Sequence, residues 1–507
     1  MNFKKLANIL GKIMITMGAL MTVPLIVSLI YGEGIRYALA YIIPIILEVG
    51  IGFLLQIPKP DRNSLFQKEG FALVGLAWII MALFGALPLV IGGDIPHYVD
   101  AFFEIMSGFT TTGASIVTDV TALAHSTLFW RSFSHFIGGM GILVFILIFI
   151  PESDDGSSMH LFRAESSGPQ VGKIVSKMKV TTRILYLTYL GMTLLEIIIL
   201  LLDAPIVGYE SDHLFNCILT AFGCAGTGGF GVVPGSIELY SAFSQYVISI
   251  FLILFGCNLT LYYLLIIGKI GQIFRSNELK VYLSIVVVAV IGIFVSLIGR
   301  YETIEECFRH SLFQVSSIIT TTGYSTTDFA TWPMVAQSIL ILLMFSGAMA
   351  GSTTGALKVS RVNIAFKGAY IAIRKLINPR YVPKIQYEGK PLEQKTVNDV
   401  FAYVTLYLFI LLVVMLLLSL DPINTQTILV NSEGGVTYEV THGFYSNFSS
   451  ALACLSNIGP GFEAVGAYSS YAGYSVFSKI LLSFTMLLGR LEIFPVLILF
   501  NKNTWTK

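Results

Sequence analysis

Long apolar runs constrain this chain more than any other feature of its sequence. A helix that spans a membrane needs about 20 predominantly apolar residues, and ten runs of that size occur. They lie at 13–31, 37–57, 70–93, 130–150, 184–203, 244–267, 281–299, 337–357, 398–420 and 477–500. Charged residues make up only 12% of the chain, against about 25% in a soluble domain, and the mean hydropathy is +0.78. The sequence therefore predicts an all-α membrane protein with ten transmembrane helices.

Positive charges predict the orientation of these helices. The first run is interpreted as a span, because it is too long for a signal peptide and no small-residue cleavage site follows it. Clusters of Lys and Arg follow every second run, starting at Lys59, Arg163, Lys269 and Lys367, and the alternate loops are nearly free of them. Since positively charged loops stay in the cytoplasm, both termini are expected there.

Other classes of protein fit the sequence poorly. A net charge of +1 gives no basic field for nucleic acid. The five cysteines stand apart in apolar stretches and are interpreted as packed thiols, so no metal and no disulfide is expected. The seven histidines show no metal-binding spacing, and no nucleophile–base set accompanies them, so an enzyme is disfavoured and no cofactor is expected.

Four further apolar segments are too short to cross a membrane. They are Tyr98–Phe109, His213–Cys224, Glu306–Ile318 and Phe444–Leu455, each between two spans on the predicted extracellular side. About twelve helical residues rise ~18 Å, roughly half of the membrane. Irregular backbone is tolerated at that depth only inside protein or beside a water-filled cavity. We therefore expect four re-entrant half-helices around one pore.

A small polar stretch containing Gly follows each half-helix. The four stretches read Thr110-Thr111-Thr112-Gly113-Ala114, Ala225-Gly226-Thr227-Gly228-Gly229, Thr320-Thr321-Thr322-Gly323-Tyr324 and Ser456-Asn457-Ile458-Gly459-Pro460. The second and fourth are aligned by position more than by identity, and the small residues of the second leave its register open by one residue. A Gly also recurs in the helix after each stretch, at Gly139, Gly256, Gly347 and Gly489.

These stretches have the chemistry of an ion filter. A ring of backbone carbonyl oxygens can replace the water shell of a monovalent cation, and Gly allows the positive φ that turns carbonyls inward. Each half-helix also points its partly negative C-terminal end at the same place. The predicted filter residues are Thr111, Thr112, Gly113, Thr227, Gly228, Thr321, Thr322, Gly323, Asn457, Ile458 and Gly459.

The repeats divide the chain into five parts. Residues 1–68 hold two N-terminal transmembrane helices. Four pore repeats, each a span, half-helix, loop and span, then occupy 69–183, 184–280, 281–397 and 398–507. The third repeat also contains the gate segment described below.

With this fourfold pattern the chain resembles the TrkH/KtrB superfamily of potassium transporters, from about residue 70 to the end. Its two extra N-terminal spans resemble the TrkH branch. The resemblance implies filter glycines at Gly113, Gly228, Gly323 and Gly459, and all-Gly filters in the family prefer potassium to sodium. It also implies a homodimer in a bacterial cytoplasmic (inner) membrane, regulated by a cytosolic, TrkA-like RCK subunit that binds nucleotide.

A run of small residues interrupts the eighth span. Each Gly lowers helix stability by about 1 kcal/mol relative to Ala, so the helix should break between 347 and 355. In the resembling family this segment is a gate, and the predicted gate residues are Gly347, Gly351, Ser352, Thr353, Thr354, Gly355 and Arg490. Arg490 lies within the last span, where a charge is costly, and we expect it to face the cavity near this loop. A packing face of small residues is the alternative for the loop, and an arginine reaching the membrane surface is the alternative for Arg490.

A transporter coupled to H⁺ or Na⁺ is the nearest alternative function. It needs ionisable residues at mid-membrane, and the candidates Glu48, Glu196 and Glu492 are few and scattered. Potassium uptake through a gated pore is therefore the preferred hypothesis. The loop 421–443 is assigned no function.

Overall fold

In a computed structural model, the structure describes residues 1–58, 66–141, 178–378, 380, 384–431 and 437–505. Several predictions fall on other residues. They concern the positive charges Lys59, Arg62, Arg163, Lys173 and Lys177, the second half of the span 130–150, and Glu433 and the Gly pair 434–435 of the loop 421–443.

The described residues are mostly helical. The helices are α1 Phe3–Leu20, α2 Thr22–Ile30, α3 Ile35–Gln56, α4 Gln67–Gly85, α5 Leu87–Gly92, α6 Tyr98–Phe109, α7 His125–Met140, α8 Met178–Leu201, α9 His213–Gly226, α10 Ala242–Phe255, α11 Leu259–Ile266, α12 Ile270–Ile273, α13 Asn277–Leu297, α14 Ile304–Ile319, α15 Met334–Ser346, α16 Val359–Ile377, α17 Gln394–Leu418, α18 Phe444–Leu455, α19 Val476–Arg490, α20 Phe494–Leu499 and α21 Lys502–Trp505. Two antiparallel hairpins join them, β1 Gln386–Tyr387 with β2 Lys390–Pro391, and β3 Thr427–Asn431 with β4 Thr437–Thr441.

Six stretches of helix in the described ranges are long and apolar enough to cross a membrane, or seven if α10 and α11 form one span. That pair bends by 92° at the break between them, which the sequence analysis did not predict. The predicted spans 337–357 and 477–500 are also interrupted, because α15 ends at Ser346 and α19 ends at Arg490. The count of ten therefore stays a prediction.

The spanning helices have one face toward the protein and one face toward lipid. On α13, Tyr282 and Ile293 are fully buried, whereas Val288 and Val295 are largely exposed. In a membrane such exposed aliphatic side chains contact lipid tails instead of water. The arrangement agrees with the all-α membrane class that the sequence predicts.

The half-helices lie in the interior. Most residues of α6, α9, α14 and α18 are buried. Predicted bounds hold for α6 and α18, while α9 continues two residues beyond Cys224 and α14 begins two residues before Glu306. All five cysteines are free and buried, as interpreted from the sequence.

Candidate functional site

The four half-helices end in the same backbone turn. A peptide N–H in each following loop donates to the carbonyl five residues earlier, at 2.9 Å in every case. The donor and acceptor pairs are Thr112 to Ser107, Gly228 to Gly223, Thr322 to Ser317, and Ile458 to Ala453. The residue before each donor is left-handed, with φ between 53° and 56° (Thr111, Thr227, Thr321 and Asn457). This pattern is the Schellman ending of a helix, formed four times.

These bonds fix the register of the second loop. The glycine after each donor has positive φ, from 70° to 96°, and these glycines are Gly113, Gly229, Gly323 and Gly459. Gly229, and not Gly228, is therefore the equivalent of Gly113. The expectation for Gly228 was wrong by one residue, because α9 continues through Ala225 and Gly226 before its chain turns.

The four loops also meet one another in a closed ring. A Cβ atom added at Gly113 would lie 2.0 Å from the carbonyl oxygen of Gly228, in the next loop. The same addition at Gly229 would lie 1.9 Å from the Thr322 oxygen, and at Gly323 2.0 Å from the Ile458 oxygen. At Gly459 it would lie 2.6 Å from the Thr112 oxygen, which returns to the first loop. Gly is thus required at these four positions, because φ is positive and because no space is left for a side chain. One carbonyl oxygen from each loop lies in the same region.

Side-chain oxygens lie next to this ring. Asn457 donates from its amide nitrogen to Thr112 Oγ1 at 2.9 Å and to the Met486 carbonyl at 2.8 Å, which joins the fourth loop to the first. Its own Oδ1 and the hydroxyl of Thr111 are buried without a hydrogen-bond partner in the described part of the chain. Such oxygens are able to bind a partly dehydrated cation.

The helix break predicted in the eighth span is present. α15 ends at Ser346, and residues 347–358 form an irregular segment, called the intramembrane loop below. Gly355 donates its N–H to Thr321 Oγ1 at 2.9 Å, so this loop lies directly against the third of the four turns. Met349 donates to the Gly256 carbonyl at 3.1 Å, and Gly351 accepts from Leu259 at 3.2 Å, which ties the loop to the bend between α10 and α11.

The side chain of Arg490 reaches this loop. It donates to the carbonyl of Thr353 at 2.5 Å, and its other terminal nitrogen donates to the carbonyls of Gly138 and Gly139 at 2.5 and 2.8 Å. The guanidinium therefore joins the intramembrane loop to the end of α7. Glu492 is paired with Arg361 instead.

A buried lysine at the end of the loop was not singled out from the sequence. Lys358 is 2% exposed and donates to the carbonyl and, at 2.9 Å, to the hydroxyl of Thr354. Its position directly after the Gly-rich break indicates a lysine close to the loop. Nothing in the sequence shows that the side chain turns back into the loop. Arg490 and Lys358 thus both donate hydrogen bonds to this loop.

Comparison with known proteins identifies the family. A model described as "TrkH: Cation transport protein" matches residues 36–506. The chain belongs to the TrkH family of cation transport proteins. It is similar to the Trk system potassium uptake protein TrkH of Salmonella typhimurium, with 30% identity over all of both chains. It is also 32% identical to TrkG of Escherichia coli K12, over 95% of this chain and 94% of the relative. The crystal structure of the potassium transporter TrkH from Vibrio parahaemolyticus matches with a TM-score of 0.84 and 27% identity, over all of both chains.

As a TrkH-family transport protein, the chain is not an enzyme. The structure also contains a buried ion pair next to the first of the four turns, which the sequence did not predict. Arg131 donates to Glu104 at 2.8 Å, and both side chains are at most 2% exposed. Glu104 also accepts from the backbone of Ile116 and the hydroxyl of Ser115, both at 2.9 Å. The pair therefore holds the chain where it leaves the first of the four turns.

Two of the carboxylates considered for coupling are buried in different parts of this TrkH-family fold. Glu48 is buried on α3 beside Gly18 of α1, outside the four repeats. Glu196 is buried on α8 beside Cys224, within the last turn of the second half-helix. No cluster of His, Cys, Asp and Glu in the described ranges has the arrangement of a metal site.

Proposed function

We propose that this protein takes up potassium through the four-loop ring, which acts as a channel-like selectivity filter. The observation that carries the proposal is the closed ring of four equivalent turns, each with a positive-φ Gly against a carbonyl of the next loop. The similar Trk proteins of Salmonella typhimurium and Escherichia coli are named as potassium uptake proteins, which supports potassium as the ion.

The proposed mechanism uses backbone oxygens. The carbonyls of Thr112, Gly228, Thr322 and Ile458 replace water around the ion. The C-terminal ends of four half-helices add partial negative charge, so cations are favoured without a carboxylate in the filter. The Glu104–Arg131 pair maintains the spacing of the carbonyls by holding the first loop in place.

The intramembrane loop is proposed to be the gate below the filter. Its contact with Thr321 and its link to Arg490 support a closed position. Opening requires the Arg490 guanidinium to release Thr353. From the family resemblance alone, we extend the proposal to a homodimer in the bacterial inner membrane with a cytosolic, nucleotide-binding RCK subunit.

The filter proposal is tested by potassium and sodium flux into liposomes that contain the purified protein. Gly113→Ser adds a side chain where a Cβ would overlap the Gly228 oxygen, so we expect the potassium preference to fall about tenfold. Gly191→Ser is the matched control, because a Cβ at Gly191 meets no atom within 4 Å. Equal loss of preference in both variants would contradict a filter at the ring.

The same vesicles test the coupled alternative. A pore passes potassium down its own gradient with no other ion gradient imposed. Flux that appears only with a proton or sodium gradient would replace the pore proposal with coupled transport.

The gate proposal is tested with Arg490→Gln. Loss of the charged bonds to Thr353, Gly138 and Gly139 should raise potassium flux of the isolated protein about tenfold or more, since one hydrogen bond to a charged group is worth about 1.5–3 kcal/mol. Arg300→Gln, at an exposed arginine, is the control. Unchanged flux in Arg490→Gln would contradict a latch at this position.

A further inference from the structure

A buried carboxylate joins the intramembrane loop to a hairpin outside the membrane. Glu278, in the first turn of α13, is 3% exposed. One of its oxygens accepts the N–H of Ala350, in the intramembrane loop, at 2.8 Å. The other oxygen accepts the hydroxyl of Tyr387, in strand β1, at 2.6 Å. The two oxygens of Glu278 thus accept hydrogen bonds from two residues that are 37 positions apart in the chain.

A second contact holds the same hairpin to the start of α13. Glu388, in the turn after Tyr387, accepts the backbone N–H of Glu278 at 2.8 Å and the hydroxyl of Ser276 at 3.2 Å. The hairpin therefore binds both the backbone and the side chain of Glu278. Movement of the hairpin away from α13 must break these bonds together.

The hairpin also packs on the helix that leaves the intramembrane loop. Tyr387 and Leu392 form a small apolar cluster with Ile364 of α16 and with Val397 and Val400 of α17. A rigid unit of hairpin and helix ends thus lies on the side of the membrane that the charge pattern assigns to the cytoplasm. That is the side from which a soluble regulatory protein would act.

The two hydrogen bonds of Glu278 couple the position of the hairpin to that of the intramembrane loop. A buried carboxylate that loses one of its partners is strongly destabilised, so Glu278 is best satisfied when loop and hairpin are both in place. Burial and the neighbouring Glu278 carboxylate raise the pKa of Tyr387 above its usual range. Tyr387 therefore remains a protonated donor throughout the physiological pH range.

We propose that Glu278 and Tyr387 are positioning residues that hold the intramembrane loop closed, and that displacement of the β1–β2 hairpin releases it. The inference rests on the proposed gate. It adds a specific connection by which a force on the hairpin reaches Ala350. This connection is separate from the Arg490 latch, which contacts Thr353.

The test uses Tyr387→Phe, Glu278→Gln and the double variant in the full chain. Tyr387→Phe removes one hydroxyl and keeps the apolar ring in its cluster, so folding should be preserved. We expect potassium flux without any regulatory partner to rise about tenfold, with the potassium-to-sodium ratio unchanged because the filter is untouched. The double variant should match Glu278→Gln alone, since both substitutions break the same connection.

Tyr370→Phe is the matched control, because it removes the hydroxyl of a half-exposed tyrosine on α16 that takes no part in this connection. Hydrogen exchange gives a second measurement that does not depend on ion flux. The amides of residues 347–358 should exchange faster in Tyr387→Phe and at the wild-type rate in Tyr370→Phe.

Arg490→Gln separates this inference from the gate proposal. If Arg490→Gln raises flux while Tyr387→Phe changes neither flux nor exchange, the connection through Glu278 is wrong and the gate stands. If neither variant changes flux, the intramembrane loop is not the gate and the inference fails with it. Additive effects of Tyr387→Phe and Glu278→Gln would also overturn the connection.

Discussion

The two adjacent glycines of the second loop have different neighbours, and this allows them to be told apart by experiment. A Cβ at Gly228 would lie 2.2 Å from the ring of His135, behind the loop, whereas a Cβ at Gly229 would lie 1.9 Å from the Thr322 carbonyl. We expect Gly228→Ala and Gly229→Ala each to lower potassium selectivity several-fold. In a His135→Ala background, only Gly228→Ala should regain the selectivity of its parent, because only its clash is with a side chain.

The measurement is the potassium-to-sodium flux ratio, compared with His135→Ala alone. Rescue of Gly229→Ala and not of Gly228→Ala would show that the predicted register was correct and that the structural alignment of the second loop is wrong. Because each double variant is compared with His135→Ala alone, a general effect of the cavity that this substitution leaves is present in both and cancels.

Among single residues, the sequence predicts those that belong to a repeated motif. It does not predict contacts between residues that are distant in the chain. The Thr-Thr-Thr-Gly stretch is visible because it occurs twice in the sequence, and its Gly is required by the positive φ at that position. The second register was ambiguous because Gly226, Gly228 and Gly229 all permit a turn, and only the end of α9 decides among them. Glu104 and Arg131 are 27 residues apart in the chain, so their contact is a tertiary fact that single-sequence reasoning does not reach.

Among the elements, the half-helices were predicted more accurately than the spans. The third half-helix begins at Ile304 because Thr303 and Glu306 form a capping box, a local signal that was present in the sequence. The break after α15 was predicted from its glycines. The 92° bend between α10 and α11 was not, although Gly256 and the capping residue Asn258 mark it.

The β3–β4 hairpin contains a pH-sensitive contact at its end. His442, just beyond β4, is buried against Tyr474, with ring centroids 4.9 Å apart. Burial lowers the pKa of His442, and Asp421 opposes this only in part. The unfolded chain therefore takes up the proton first, and stability should fall as the pH drops below about 6.5. We expect the melting temperature in detergent to fall by a few degrees between pH 7 and pH 5.

His442→Phe should remove the part of this acid sensitivity that belongs to His442. The Phe ring keeps the contact with Tyr474 and lacks the two nitrogens, which have no hydrogen-bond partner within the described ranges. The melting temperature at pH 7 should therefore be unchanged or higher. His97→Phe, at an exposed histidine, controls for the loss of an imidazole. A pH dependence that survives in His442→Phe would assign the effect to other groups.

At the scale of the whole molecule, each of the four loops contacts the loop that follows it in the chain. The fourth loop contacts the first, which closes the ring. The loops follow one another around the ring in sequence order, and the fourth returns to the first through Asn457 and Thr112. The membrane class could be predicted because it follows from composition, whereas the division into four repeats stays a prediction. The closure could not be predicted, since residues that are 345 positions apart in the chain carry it.

One ion pair makes this closure testable. Lys479 of α19 donates to Asp100 of α6 at 2.6 Å, and the two side chains are 9% and 21% exposed. Asp100→Asn leaves a mostly buried ammonium without its counter-ion, so we expect a loss of about 2 kcal/mol, seen as a melting temperature several degrees lower. Exchanging the two residues, Asp100→Lys with Lys479→Asp, should recover only part of this loss. The pair is restored, but a lysine then lies in the first turn of α6, where the helix dipole disfavours positive charge.

The control is Glu305→Gln, which breaks a more exposed pair with Arg309 inside a single half-helix and should shift the melting temperature little. Asp100→Lys alone should be the least stable variant, because it places two ammonium groups side by side. If all three variants at Asp100 and Lys479 melt like Glu305→Gln, the ring is closed by backbone contacts and apolar packing of α6 on α19, and the ion pair is incidental to it. If the exchanged pair recovers stability that Asp100→Lys alone loses, the charge pair itself joins the fourth repeat to the first.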